Sequence, residues 1–249
     1  MRIDELGWPI ADAGEPEVVR VPSDRTVVLE GGQPLGVCWH WTAGDYAPDR
    51  GHTDSIALAK SIAERPPNKD APPSEIEAAA ARGVSLVSAS WNVLVDKDGA
   101  LVASVPFSKG SWHVGKDGMI FGRRRWPNRT LIGIELENAG QLRAIDGRMF
   151  AWPFYENPDA PPEQRRPSGK YEVDRARAVA AKGGYFDAFP PAQVAAAERL
   201  VRACVVRFQW SRGAFLFGHR DFDFPRKQDP GPLWSDEVLP CVLDRVFGS

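Results

Sequence analysis

Residues 218–234 read Gly218-His219-Arg220-Asp221-Phe222-Asp223-Phe224-Pro225-Arg226-Lys227-Gln228-Asp229-Pro230-Gly231-Pro232-Leu233-Trp234. They follow the apolar run Ala214-Phe215-Leu216-Phe217, which is bounded by Gly213 and Gly218 and is predicted to be a short buried strand. His219 then stands at a strand end, and Asp229 returns toward it across a loop stiffened by Pro225, Pro230 and Pro232. An imidazole and a carboxylate presented this way make two-thirds of a catalytic zinc site, which keeps its fourth position open to water. Taken alone, a histidine at a strand end is more often a satisfied structural residue, and Lys227 is an ordinary solvated lysine. The third ligand has to come from elsewhere in the chain.

Working outward, the segment Leu35-Gly36-Val37-Cys38-Trp39-His40-Trp41-Thr42-Ala43-Gly44 places Leu35, Val37, Trp39 and Trp41 on one face at period two, and His40 and Thr42 on the other. A histidine opposite a bulky apolar set, where Ala43-Gly44 closes the strand, suits a site and equally suits a half-exposed strand position. In Leu131-Ile132-Gly133-Ile134-Glu135-Leu136-Glu137-Asn138, residues Ile132, Ile134 and Leu136 face one way and Gly133, Glu135 and Glu137 the other. Two acids on one strand face are usually solvated. If that face looks onto a metal instead, one of them takes the proton of the bound water. Trp112-His113-Val114-Gly115 offers a further histidine that either lines a cleft or caps a loop.

Segments 88–95 and 100–106 read as a hairpin turning at Asp96-Lys97-Asp98-Gly99, where Asp-Gly suits the positive backbone angle of a tight turn. Helices are predicted over 54–64, 73–83, 192–210 and 235–247, the last capped by Ser235-Asp236-Glu237. His52, in the turn before the first helix, reads as a surface residue. The helix at 192–210 carries a core stripe at Val194, Ala197, Val201, Cys204, Val205 and Phe208. Residues 139–189, rich in Pro, Gly and charge, read as an elaborated loop with a helix near 173–181. Residues 1–34 read as an arm with a strand near 25–29 and no chemistry. The interleaving implies a mixed α/β fold: a central mixed β-sheet flanked by helices in a single domain over 35–249, with 139–189 inserted.

The balance of 31 basic and 33 acidic residues gives no broad electrostatic footprint for nucleic acid or anionic membrane. The Arg123-Arg124-Arg125 run reads as a solvated loop. Cys38, Cys204 and Cys241 are an odd set, two of them in apolar patterns, which fits buried thiols in a reducing compartment. Charged residues stand near the N-terminus where a signal peptide needs an apolar core, and no segment is long enough to cross a bilayer. Synthesis in the cytoplasm, action on a wall only after release by another route, no membrane insertion and a monomer are the expectations.

Five blocks in order resemble the type 2, zinc-dependent N-acetylmuramoyl-L-alanine amidases, a family that includes the peptidoglycan-recognition proteins. They are 39–44, 90–99, 105–115, 132–138, and Gly218-His219 with 226–232, and together they reach over 37–234. The resemblance implies that His40, His219 and Asp229 bind Zn2+, that Glu135 is the general base, and that Lys227 stabilises the oxyanion. We assign substrate contact to Trp91, Trp112, His113 and Asn138, which lie in these blocks. Many relatives carry a tyrosine or histidine where this chain has Trp91-Asn92, which shifts the catalytic weight to Glu135. The implied reaction is hydrolysis of the amide between N-acetylmuramic acid and L-alanine in peptidoglycan or a muropeptide. Two roles fit it, a phage or prophage endolysin or a wall-recycling amidase, and the aromatic insertion inclines the reading to the former. A peptidoglycan-binding module without turnover and a zinc peptidase of the stem peptide are the rival readings; keeping all three ligands argues against the first, and the arrangement of the metal motifs against the second.

Overall fold

The computed structural model describes residues 1–42, 55–64, 90–152, 161–167 and 169–248. Its centre is a six-stranded sheet in the order Phe217–Gly218, Gly36–Trp41, Leu131–Leu136, Val93–Val95, Leu101–Ala103, Val18–Arg20. The first four strands run parallel to one another, Leu101–Ala103 turns back antiparallel, and Val18–Arg20 lies parallel to it at the edge. The expected hairpin is therefore present. Gly99 takes φ 87° at its turn, a conformation that glycine adopts without a Cβ clash.

The two central strands alternate as expected. Val37 and Trp39 of one, with Ile132, Ile134 and Leu136 of the other, join a fully buried core. The helices Pro191–Phe208 and Leu239–Phe247 cover that face. Ala197, Val201 and Cys204 of the predicted stripe are buried there, with Val194, Val205 and Phe208 at its margin. The opposite face is covered over the hairpin by helix Ser55–Glu64, whose Ala59 packs with Trp91, Leu94 and Val102. Burying one such aliphatic side chain contributes about 1.5–3 kcal/mol, so a truncation at Ile134 costs about 2–5 kcal/mol once the cavity is included.

Several expectations are corrected. Residues 139–189 are not a loop with a helix: Gln141–Ile145, Arg148–Ala151, Glu172–Val173, Ala178–Ala181 and Gly184–Asp187 form an antiparallel five-stranded sheet. The alanine-rich 178–181 segment has helical propensity, but the turn at Lys182 and Gly183 lets it pair with Gly184–Asp187, and tertiary pairing overrides propensity. The run before His219 is mostly a single helical turn, Arg212–Phe215, with only Phe217–Gly218 in the sheet. The last helix is entered through a wide helical turn at Leu233–Val238 without use of the Ser235 cap. Trp234 there is buried against Trp39, with ring centroids 5.0 Å apart. The Arg123-Arg124-Arg125 run is a strand of a two-stranded ribbon with Gly118–Ile120, whose Ile120 is buried. The arm contributes Ile3 to the core and Val18–Arg20 to the sheet edge. The predicted helix at 73–83, His52, and the Ala43-Gly44 strand closure lie outside the described residues.

Candidate metal centre

Three neighbouring parallel strands build the site at their C-terminal ends. Glu135 and His40 are register partners, and Gly218 pairs with Trp39, so His219 follows directly beyond the sheet. In a parallel pair, residues in register share a face, which puts Glu135 and His40 side by side. The loop then closes on itself: the Arg220 amide donates to the Asp229 carbonyl at 3.0 Å. Gly218 permits this return, because a Cβ there would fall 2.5 Å from Pro230 Cδ.

The result is a triangle of donor atoms. His40 Nδ1 lies 3.0 Å from His219 Nδ1 and 3.1 Å from Asp229 Oδ2, and His219 Nδ1 lies 3.1 Å from the same oxygen. All three residues are buried. A tetrahedral ion with bonds of about 2.0–2.1 Å holds its donors about 3.3 Å apart, so two imidazoles and one carboxylate at this spacing fit zinc. A second grouping, Cys38 with His40 and His113, shares His40. Burial first, then the charges of Asp229, Asp221 and Glu135, push the Cys38 thiol well up, which keeps it from being a thiolate.

The electrostatics separate the roles. Burial raises the Asp229 carboxyl, but hydrogen bonds from His219 and His40 outweigh it and hold the group below the usual carboxylate range. Burial lowers His40, against an opposing pull from Asp229, and lowers His113 well below the ordinary range with help from His40 and His219. Both rings are thereby kept neutral, the form that binds metal. Glu135 moves the other way. Burial, then the Asp229 charge, push it up to about 8, with Lys227 opposing. Its Oε2 is buried with no hydrogen-bond partner among the described residues, and the same holds for His219 Nε2.

The structure thus brings together His40, His219, Asp229 and Glu135, with Lys227 close enough for its charge to act on Glu135 and His40. It places the residues assigned to substrate contact differently. His113 is buried behind His40, its Nδ1 3.0 Å from His40 Nε2. Trp91 is packed in the core under helix Ser55–Glu64. Asn138 is buried and donates to the carbonyls of Asp187 and Ala188 at 3.1 and 3.2 Å while accepting from the Gly140 amide. Trp112 is half-buried, its backbone paired with Ser90. Gly133, on the same strand face as Glu135, interrupts a β-branched strand and marks a close approach; a Cβ there would fall 2.7 Å from His113 Cγ.

The profile of the N-acetylmuramoyl-L-alanine amidases matches residues 30–232. No curated protein matches the chain. Among solved structures, a selenomethionine derivative of AmpD is similar with a TM-score of 0.57 at 20% identity, covering 98% of this chain and 99% of that one. The solution structure of Citrobacter freundii AmpD gives 0.48 at 21% identity over 95% and 96%. The amidase AmiD from E. coli, in complex with the substrate anhydro-N-acetylmuramic acid-L-Ala-D-gamma-Glu-L-Lys, gives 0.45 at 21% over 96% and 65%. At these identities the first likeness speaks for the fold, and the profile, which spans most of the sequence including every strand of the donor triangle, decides the rest: this chain belongs to the N-acetylmuramoyl-L-alanine amidase family.

Proposed function

We propose that the chain is a zinc-dependent hydrolase that cuts the amide between N-acetylmuramic acid and L-alanine in peptidoglycan or a muropeptide. The observation that carries this reading is a carboxylate, Glu135, whose Oε2 has no partner among the described residues and which stands in register beside His40 at the edge of a three-donor cluster. His40, His219 and Asp229 would hold a zinc ion, which would polarise the scissile carbonyl and lower the pKa of the attacking water to about 7. Asp229 lowers the charge of the cluster by one unit. Glu135 is the group placed to take the water proton and return it to the leaving amine of L-alanine. Its high proton affinity in a dry setting suits that exchange, and a nearby dication favours the carboxylate needed to begin it. Lys227 adds a fixed positive charge where the carbonyl oxygen becomes negative.

The biological role we favour is a phage or prophage endolysin, monomeric and acting on polymer. The feature behind this choice is the inserted five-stranded sheet, which leaves Trp152 and Tyr185 exposed as rings on which sugars can stack. Activity on intact sacculi supports that role, whereas turnover confined to soluble anhydro-muropeptides supports recycling. The chemistry itself is tested by zinc content per chain and by mass analysis of digested wall, with and without chelator. The expected product is a stem peptide beginning at L-alanine. A metal-free protein that binds muropeptide and never cleaves it would remove the enzyme reading. Asp229→Ala is expected to lower zinc occupancy, whereas Glu135→Ala keeps the metal and stops hydrolysis.

A further inference from the structure

We propose that Asp223 is a positioning residue that fixes Lys227 in place beside the metal centre. The inference rests on the oxyanion reading of Lys227 and goes beyond it by naming what holds that residue's backbone. Between helix Arg220–Asp223 and Asp229 the chain runs over the surface: Phe224, Pro225, Arg226 and Gln228 are exposed and Lys227 is half-buried. The two ends of this loop, Asp223 and Asp229, are buried. Asp229 serves the donor triangle, whereas Asp223 binds two cations from either side of the loop. A cation stabilises a developing oxyanion only if it is held in place beforehand, so a lysine on an exposed loop needs an anchor for its backbone.

Asp223 supplies that anchor in two ways. Its backbone is the shared link in a relay from His219 to Lys227: the Asp223 amide donates to the His219 carbonyl at 3.2 Å, and the Lys227 amide donates to the Asp223 carbonyl at 2.9 Å. Its carboxylate, fully buried, then holds both flanks: Arg226 Nη2 donates to Oδ2, and Lys116 Nζ forms an ion pair with Oδ1 at 2.6 Å. Lys116 belongs to a segment that is fixed separately. Asn128 Oδ1 accepts from the amides of His113 and Val114 at 3.0 and 2.8 Å, and Asn128 Nδ2 donates to the Val114 carbonyl at 2.8 Å. The short helix is pinned on the same side, because Gly118 leaves room for the Phe222 ring, where a Cβ would fall 2.5 Å from Cδ1. Ion pairs between two solvated partners contribute little, but here the carboxylate is wholly out of water and its bond to Arg226 is charge-assisted. The side chains of Lys116 and Arg226 are 59% and 61% exposed, so both regain water when the carboxylate is removed. Losing Asp223 therefore loosens the loop more than it threatens the fold.

A double-mutant cycle on the full chain tests it, with turnover of a muropeptide, zinc content and circular dichroism measured for Asp223→Ala, Lys227→Met and the pair. Asp223→Ala should lower kcat by up to about 10²-fold, the cost of a small misplacement, with KM and zinc content near wild type. In the Lys227→Met background the same substitution should change kcat little, because there is no longer an ammonium to misplace. An unchanged kcat in Asp223→Ala overturns the inference, and so does a loss of the same size in both backgrounds, which is what a general structural role gives. Should Asp223→Ala not fold, Arg226→Gln cuts the same link from its exposed side and is run through the same cycle with the same criteria. A Lys227→Met chain as active as wild type removes the oxyanion reading, and this inference with it. An impaired Lys227→Met with an additive cycle removes this inference alone.

Discussion

Two buried acids in this molecule sit in opposite settings. Asp187, at the end of the inserted sheet, accepts on both oxygens: Oδ2 from Lys97 Nζ at 2.7 Å, Arg177 Nη2 at 2.7 Å and the Ala139 amide at 3.0 Å, and Oδ1 from Arg177 Nε at 2.8 Å. Burial raises its pKa, but Arg177 and Lys97 more than reverse that, and it stays ionised. Asp229 meets two imidazoles through a single oxygen, and Glu135 beside it leaves Oε2 without a partner among the described residues. The first arrangement is satisfied and ties the insertion to the hairpin turn. The second is left incomplete by its own residues, and an incomplete buried polar cluster costs stability unless something else completes it, the part the proposed zinc ion would play.

The sharpest way to break this contrast is at Glu135. Glu135→Gln should lower kcat by about 10²–10⁴-fold with zinc retained, read from turnover alongside metal content; unchanged turnover would move the base to Glu137 or another group. Next is the satisfied cluster. Asp187→Asn should cost about 3–5 kcal/mol in denaturant unfolding, because buried Lys97 and half-buried Arg177 lose their counter-charge, while zinc affinity stays at the wild-type level. A loss of zinc affinity in a folded Asp187→Asn chain would show that the two clusters are not independent. Lys227→Met should lower kcat by about 10²–10³-fold with little change in KM, the pattern of a contact made only as charge develops.

The smallest effect concerns pH. The Glu135 carboxyl is raised in the fold from its ordinary 4.5 to about 8, so the native state holds its proton more tightly than the unfolded chain does. The stability of the metal-free protein that depends on this group is present below pH 4.5 and lost as pH rises through about 8. Glu135→Gln, which cannot ionise, should therefore unfold at higher denaturant than wild type at pH 8.5 and differ little at pH 4. Asp187 has the reverse sign: its pKa is lowered, so its contribution is present at neutral pH and lost in acid, and Asp187→Asn should flatten the acid limb.

How far these features were legible varies with the range of the forces that set them. The alternation in 131–136 announced which residues face the core, and the observed register put Ile132, Ile134 and Leu136 there. The loop at 218–234 showed its histidine and carboxylate because glycine and proline restrict the backbone locally. The insertion was not legible, since its strands are short and its alanines favour a helix until Gly184–Asp187 offers a ladder. Nor was the role of Trp91, Asn138 or His113, because each is defined by a partner far away in the chain.

Local pattern therefore determined the strands at the centre of the sheet, since side-chain period and backbone restriction act over a few residues, and the family resemblance named the candidate ligands and the candidate base. Only the tertiary structure decided that His40, His219 and Asp229 share one point in space, that His113 stands behind His40 rather than before the substrate, and that Asp187 anchors the insertion. Those facts depend on hydrogen bonds and charges between residues tens to hundreds of positions apart, and their distances and directions exist only once the sheet has closed.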